Sequence, residues 1–295
     1  MNDYVVIKED DIVVIRAMEI KGSDGIAFSI IYLRPPDGEP SMEEFLDTRK
    51  WPADKSVIYS SYAKVMVGML FVMEGLSFTS TQWQDVLMIG LGGGVINNFL
   101  GILDEAKINL TTVEIDPDMP KLAKDYFDLE ESSTNTIIIA DGIAFIDEAS
   151  KKGQKYKSMI VDACYTSCPA EGFWQLDTAK HIADILDEYG TLSVNILGDD
   201  EKREELGQRI LSIYRKYFAT CFIFEALSQE VISRKSSLFP VNVIHIETFR
   251  SCCVPTEKIG HFKSKMTDFL EKMAELDQRF KFDLRSLYPK QFQSI

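Results

Sequence analysis

The sequence predicts a doubly wound α/β fold with a mostly parallel sheet, preceded by a small β appendage. Three observations carry that reading. From Asp85 onward, short apolar runs rich in branched residues alternate with helix-patterned stretches. A glycine cluster, Gly90-Leu91-Gly92-Gly93-Gly94, directly follows the first of those runs. Before Asp85 the alternation is absent, and residues 1–55 hold β-rich runs instead.

Those runs are 4–8 (YVVIK), 12–19 (IVVIRAME) and 26–33 (AFSIIYLR). Gly22-Ser23-Asp24-Gly25 separates the last two and predicts a hairpin turn. Pro35-Pro36-Asp37-Gly38 then breaks the chain. Residues 57–75 are apolar at helical spacing, which predicts a helix packed on the next domain. The sheet strands are expected at 86–90, 110–115, 136–140, 158–162 and 191–197, continuously apolar as strands buried on both faces should be. Helices are expected between them near 95–104, 118–127, 142–151 and 175–188. A helix over 200–216 leads to β segments at 219–225 and 241–248, joined without a helix and so able to pair antiparallel. A charged amphipathic helix covers 257–281. The resulting division is 1–55 for the appendage, 56–250 for the α/β domain and 251–295 for a helical extension.

Composition narrows the function. The formal charge is −14, which repels phosphate backbones and argues against nucleic-acid or membrane-surface partners, while suiting a basic protein partner. No apolar run approaches the ~20 residues that span a bilayer. Met1 to Glu9 does not read as a signal peptide. Five cysteines at irregular spacings predict reduced thiols and a cytoplasmic protein. The three histidines lie away from the cysteines, so no metal site is expected.

The chemistry concentrates at three successive strand ends. Glycines at 90, 92 and 94 permit a tight turn and close backbone approach by a ligand, with the next helix's amides facing it. About twenty residues on, the second strand ends in Val113-Glu114-Ile115-Asp116-Pro117. Glu114 is placed to accept bonds from ribose hydroxyls, and Asp116 with Pro117 to cap the next helix. Asp141-Gly142 follows the third strand, where an acid can accept from an adenine amino group. All three lie on the sheet's carboxyl edge, where such folds bind ligands. Asn97 stands where a dinucleotide fingerprint has its third glycine, so an adenosyl sulfonium ligand fits better than NAD.

VLMIGLGGG, VEIDPDM, IADGIAFI and YKSMIVDA resemble the spermidine synthase superfamily over roughly residues 55–250. The resemblance implies a Rossmann-like S-adenosylmethionine-dependent methyltransferase fold after a small β domain, and often a homodimer. The superfamily holds aminopropyltransferases and methyltransferases. By the resemblance, the former carry an acid in the glycine loop, where Gly93 stands here. They carry another three residues after the fourth-strand acid; Asp162 matches the strand acid, but Tyr165 stands at the later position. Their Tyr-Gln-Glu before the loop is Tyr62-Ala63-Lys64 here. Losing these acids disfavours polyamine synthesis.

The branch whose C-terminal domain modifies elongation factor 1-alpha is similar at Tyr62, Lys64, the GLGGG loop, VEIDP, IADG and Ser167-Cys168-Pro169. It implies S-adenosylmethionine as cofactor and methylation of a protein N-terminal amine or lysine, with a translation factor as partner. Asp162 and Tyr165 are then the candidate catalytic residues, and Gly90, Gly92, Gly94, Glu114, Asp141, Gly142 and Asp162 the candidate cofactor contacts. Asn195 could accept a bond from the substrate or be satisfied by backbone, and Phe173 and Trp174 could wall the pocket or pack the core. A catalytically inactive scaffold protein is the alternative from a different class, since Ala163-Cys164-Tyr165-Thr166 follows Asp162 where that branch carries further acids.

Overall fold

The computed structural model describes residues 1–8, 11–19, 27–38, 41–164, 168–196, 200–218, 220–221, 253–254 and 266–287. The expected hairpin turn at Gly22–Gly25 and the segment 241–248 lie outside them.

The appendage is an antiparallel meander of β1 (Asn2–Lys8), β2 (Asp11–Glu19) and β3 (Ala27–Leu33) in the order β1-β2-β3. β2 is buried on both faces. Val14 and Met18 pack with Ile31, Leu33, Trp51, Ala53 and Phe127, and Ile15 and Ala17 pack with Ile30 and Tyr59. That explains why it is apolar from Ile12 to Met18 save for Arg16. The Arg16 guanidinium is 5% exposed yet fully employed. It donates to Asp3 at 2.7 and 2.9 Å, to the Thr48 carbonyl at 2.8 Å and to the Tyr126 carbonyl at 3.1 Å. A buried charge persists only with such pairing, and here it ties the appendage to the helix that Tyr126 belongs to. A short helix, α1 (Met42–Leu46), follows β3.

Next comes α2 (Ser61–Val72), buried from Val65 through Val72. It lies between the sheet and α8 (Met266–Phe280), which supplies Phe269, Met273 and Leu276 to the same core. A side chain at Gly68 would stand 2.6 Å from Leu284 of α9 (Leu284–Leu287), so the glycine lets these elements close on α2. Being covered on nearly all sides, α2 is apolar all round rather than amphipathic.

The main sheet takes the order β6-β5-β4-β7-β8-β10-β9. β4 (Gln84–Ile89), β5 (Ile108–Glu114), β6 (Asn135–Ile139), β7 (Tyr156–Val161) and β8 (Leu186–Val194) run parallel. β10 (Cys253–Val254) joins β8 and β9 (Thr220–Cys221) antiparallel. The intervening helices are α3 (Val95–Gly101), α4 (Met119–Phe127), α5 (Gly142–Lys151), α6 (Leu176–Ile185) and α7 (Asp200–Tyr214). Strand order reverses at β4, with β5 on one side and β7 on the other, which opens a crevice at the carboxyl ends of these strands. Among the described residues, no helix is long and apolar enough to cross a membrane.

Candidate cofactor and acceptor site

The glycine loop joins β4 to α3 at that reversal. Gly90 has φ +93°, and a Cβ there would stand 2.3 Å from the carbonyl oxygen of Asp162. Glycine is therefore required twice over, by the backbone angle and by the neighbouring strand. Gly94, at φ +71°, is the left-handed cap of α3, and Gly92 also has positive φ. The loop is braced by amide bonds to acceptors on three sides. Gly90 donates to the Val113 carbonyl at 2.9 Å, Leu91 to Glu114 Oε2 at 2.8 Å, Gly93 to Ser29 Oγ at 2.8 Å and Gly94 to the Leu91 carbonyl at 2.9 Å.

Glu114 is buried at the end of β5, and its second oxygen, Oε1, accepts from the Asp116 amide at 2.8 Å. It thus holds the glycine loop and its own strand end together, and each oxygen keeps further acceptor capacity. The structure corrects the expected helix cap: Asp118 is the N-cap residue of α4, while Asp116 Oδ1 accepts from the Asp118 amide at 2.9 Å in the turn before it. At the end of β6, Asp141 caps α5, with Oδ1 accepting from the Ile143 and Ala144 amides at 2.9 Å each. A Cβ on Gly142 would meet Ile89 at 2.5 Å. Two apolar side chains on this edge, Ile115 at 69% and Ile139 at 48% exposed, are absent from the sequence-based site. Ile115 directly follows Glu114, and Ile139 is the last residue of β6, two before Asp141.

Asn97, at the position that argues against a dinucleotide fingerprint, is fully buried. Its Nδ2 donates to Thr112 Oγ1 at 2.8 Å and Asn135 Oδ1 at 3.0 Å, so it locks α3 onto β5 and β6.

Asp162 follows β7, its amide donating to the Ile89 carbonyl at 2.8 Å beside the glycine loop. Its Oδ1 accepts from Asn195 Nδ2 at 2.8 Å, and the Tyr62 hydroxyl from α2 donates to the same carboxylate. Burial pushes the Asp162 pKa above the usual carboxylate range, and the bonds from Asn195 and Tyr62 oppose that shift. Burial and then the Asp162 charge push the Tyr62 phenol well above its ordinary value. Asn195 is 4% exposed; its amide donates to the Val161 carbonyl at 2.9 Å, while its Oδ1 is buried without a donor.

Beyond Asp162 the expectation of reduced thiols is overturned at one pair: Cys164 and Cys168 form a disulfide, their Cα atoms 4.3 Å apart. That proximity is one that irregular sequence spacing does not reveal. Cys221 is buried. Tyr165 lies between Cys164 and Cys168 in sequence and outside the described residues. Phe173 is buried in the core under α5 and α6, with Trp174 packed against the same cluster and beneath the Arg209 guanidinium at 4.9 Å.

The parallel sheet, its reversal at β4 and a braced glycine loop facing acids on the neighbouring strand ends define a Rossmann-like fold of the S-adenosylmethionine-dependent methyltransferase type. A solved human structure, methyltransferase-like protein 13 in complex with SAH, superposes with a TM-score of 0.60 over 80% of this chain and 96% of that one, at 20% identity. The spermine/spermidine synthase domain model matches residues 69–227, more than half of the sequence, and the chain belongs to that family. Among relatives, an eEF1A lysine and N-terminal methyltransferase homolog from Drosophila pseudoobscura pseudoobscura is 32% identical over 47% of this chain and 21% of its own length. A polyamine aminopropyltransferase from Vibrio vulnificus is 24% identical over 63% of this chain and 60% of its own. The chain thus spans about a fifth of the first relative and less than two thirds of the second.

Proposed function

We propose that this chain binds S-adenosylmethionine and methylates a protein amine, an N-terminal amine or a lysine. The observation that carries this over aminopropyl transfer is the state of Gly93. By family resemblance an aminopropyltransferase has an acid there. Here a Cβ would already stand 3.0 Å from both the Phe127 ring and the Ser29 Cβ, and the amide is bonded to Ser29. The named eEF1A methyltransferase relative supports a protein acceptor from the translation machinery, and the net charge of −14 suits a basic one. A cytoplasmic location and a homodimer through the appendage belong to the same reading. Exposed Val5 and Phe28 on the small sheet support the dimer.

The site residues fit such a ligand: a glycine loop admitting close backbone approach, acids at three strand ends and the open acceptor at Asn195 Oδ1. Gly90, Gly92 and Gly94 line its amino-acid side, Glu114 takes the ribose hydroxyls, and Asp141 and Gly142 with Ile115 and Ile139 border the adenine. The cofactor supplies an electrophilic methyl group already activated by its sulfonium charge, so the protein mainly positions the amine and excludes water. Asp162 and Asn195 Oδ1 accept the amine's N–H bonds and aim its lone pair, and Tyr62 holds the Asp162 carboxylate in place. An N-terminal amine, with a pKa near ~7.8 against ~10.4 for lysine, needs the less assistance in shedding its proton.

The test is methyl-labelled cofactor with purified chain and basic proteins of the translation machinery. Label in a protein amine that Asp162→Asn abolishes is the expected result. Cofactor binding with no label in any protein favours the scaffold alternative.

A further inference from the structure

The appendage reaches into the glycine loop at one residue. Ser29 Oγ accepts the Gly93 amide at 2.8 Å, and a Cβ on Gly92 would stand 2.8 Å from that same oxygen. The two residues are separated by 64 positions in sequence. Ser29 sits at an irregularity of the small sheet: Met18 pairs with Ser29 but Glu19 pairs with Ala27, so the register shifts at Phe28. Such bulges re-aim a side chain and recur beside active sites. The strand carrying Ser29 is fixed by Ile30 and Ile31, both buried, and by the Arg16 bonds to Asp3, Thr48 and Tyr126.

Of the five loop amides, those of Gly90, Leu91, Gly93 and Gly94 have protein acceptors. The Gly90, Leu91 and Gly94 bonds come from within the Rossmann unit; the Gly93 bond alone comes from the appendage. We propose that Ser29 is a positioning residue for the cofactor's amino-acid tail, through which the β appendage becomes part of the nucleoside site. This rests on the methyltransferase reading above and deepens it. The adenosine end is bordered by groups on β5 and β6, which Ser29 does not touch, whereas the tail lies along the loop that Ser29 holds. Without the hydroxyl, the Gly92–Gly93 segment must be ordered by the ligand itself, so affinity falls only for ligands that engage the loop.

Calorimetry with S-adenosylhomocysteine and with adenosine, on wild type, Ser29→Ala and Ser29→Thr, separates the outcomes. Ser29→Ala is expected to weaken S-adenosylhomocysteine about 3–10-fold, the loss of one net hydrogen bond, with adenosine unchanged within about twofold. Ser29→Thr, which keeps the oxygen, should bind both as wild type does. Thermal unfolding of each variant checks that the fold is intact. Equal weakening of both ligands, or of neither, overturns the positioning role while leaving the methyltransferase reading standing. Wild type binding neither ligand overturns that reading, and this inference with it.

Discussion

Replacing Gly90 by alanine tests the close approach of β4 and β7 on which the site is built. The added Cβ would stand 2.3 Å from the Asp162 carbonyl oxygen and 2.9 Å from its carbonyl carbon. Both are backbone atoms, so no side chain can swing aside. Relief requires a shift of about 1 Å to reach ordinary carbon–oxygen contact. That shift strains the bonds from Gly90 to Val113 at 2.9 Å and from Asp162 to Ile89 at 2.8 Å. The left-handed backbone at φ +93° adds about 1–2 kcal/mol for any residue with a Cβ. With the two weakened ladder bonds, the expected cost is about 3–5 kcal/mol. Gly153→Ala is the internal control: φ is +66°, but nothing lies within 4 Å of its Cβ position. It should cost only about 1–2 kcal/mol. Melting points should fall by about 6–15 °C for Gly90→Ala and about 2–6 °C for Gly153→Ala. Only the former should lose S-adenosylhomocysteine binding. If Gly90→Ala melts no lower than Gly153→Ala and still binds, the two strand ends are not in contact as described.

Glu114→Ala removes the acceptor of two amides, and leaving the Leu91 amide unpaired should cost about 1–3 kcal/mol along with at least tenfold in nucleoside affinity. Urea titration and calorimetry read the two effects, and unchanged nucleoside affinity would sink its binding role. Asp162→Asn should reduce methyl transfer by at least about 100-fold. It should also alter the pH dependence of stability. Burial raises the Asp162 pKa, so the native state holds that proton more tightly than the unfolded chain. Stability is then full below the ordinary carboxylate value near ~3.9 and falls as pH rises through the raised native value. The asparagine variant lacks this term, so its stability relative to wild type should rise from pH 4 to neutrality; a constant difference in urea midpoint would contradict it.

The parallel strands were legible because burial on both faces makes each a continuous apolar run. β2 was legible for the same reason, although its burial comes from packing on α4 rather than from a larger sheet. Gly90, Glu114, Asp141 and Asp162 stood out as polar or glycine residues closing apolar strands, which is a local signal. What escaped was tertiary. Ser29 is an unremarked hydroxyl between Phe28 and Ile30, and only the register shift aims it at Gly93. Asn195 offered two readings, substrate acceptor or a side chain satisfied by backbone; its Nδ2 instead bonds the Asp162 side chain, and its Oδ1 has no donor. The Cys164–Cys168 bridge depends on the two cysteines meeting in space, which their spacing does not encode.

On the proposed function, the glycine loop takes the intact amino-acid tail of the cofactor. Calorimetry of the wild-type chain against S-adenosylmethionine and its decarboxylated form tests it directly. The intact cofactor is expected to bind at least tenfold more tightly, because no acid stands at Gly93 to hold a lone amine. Tighter binding of the decarboxylated form would contradict it and return the chain to the aminopropyltransferase side of its family.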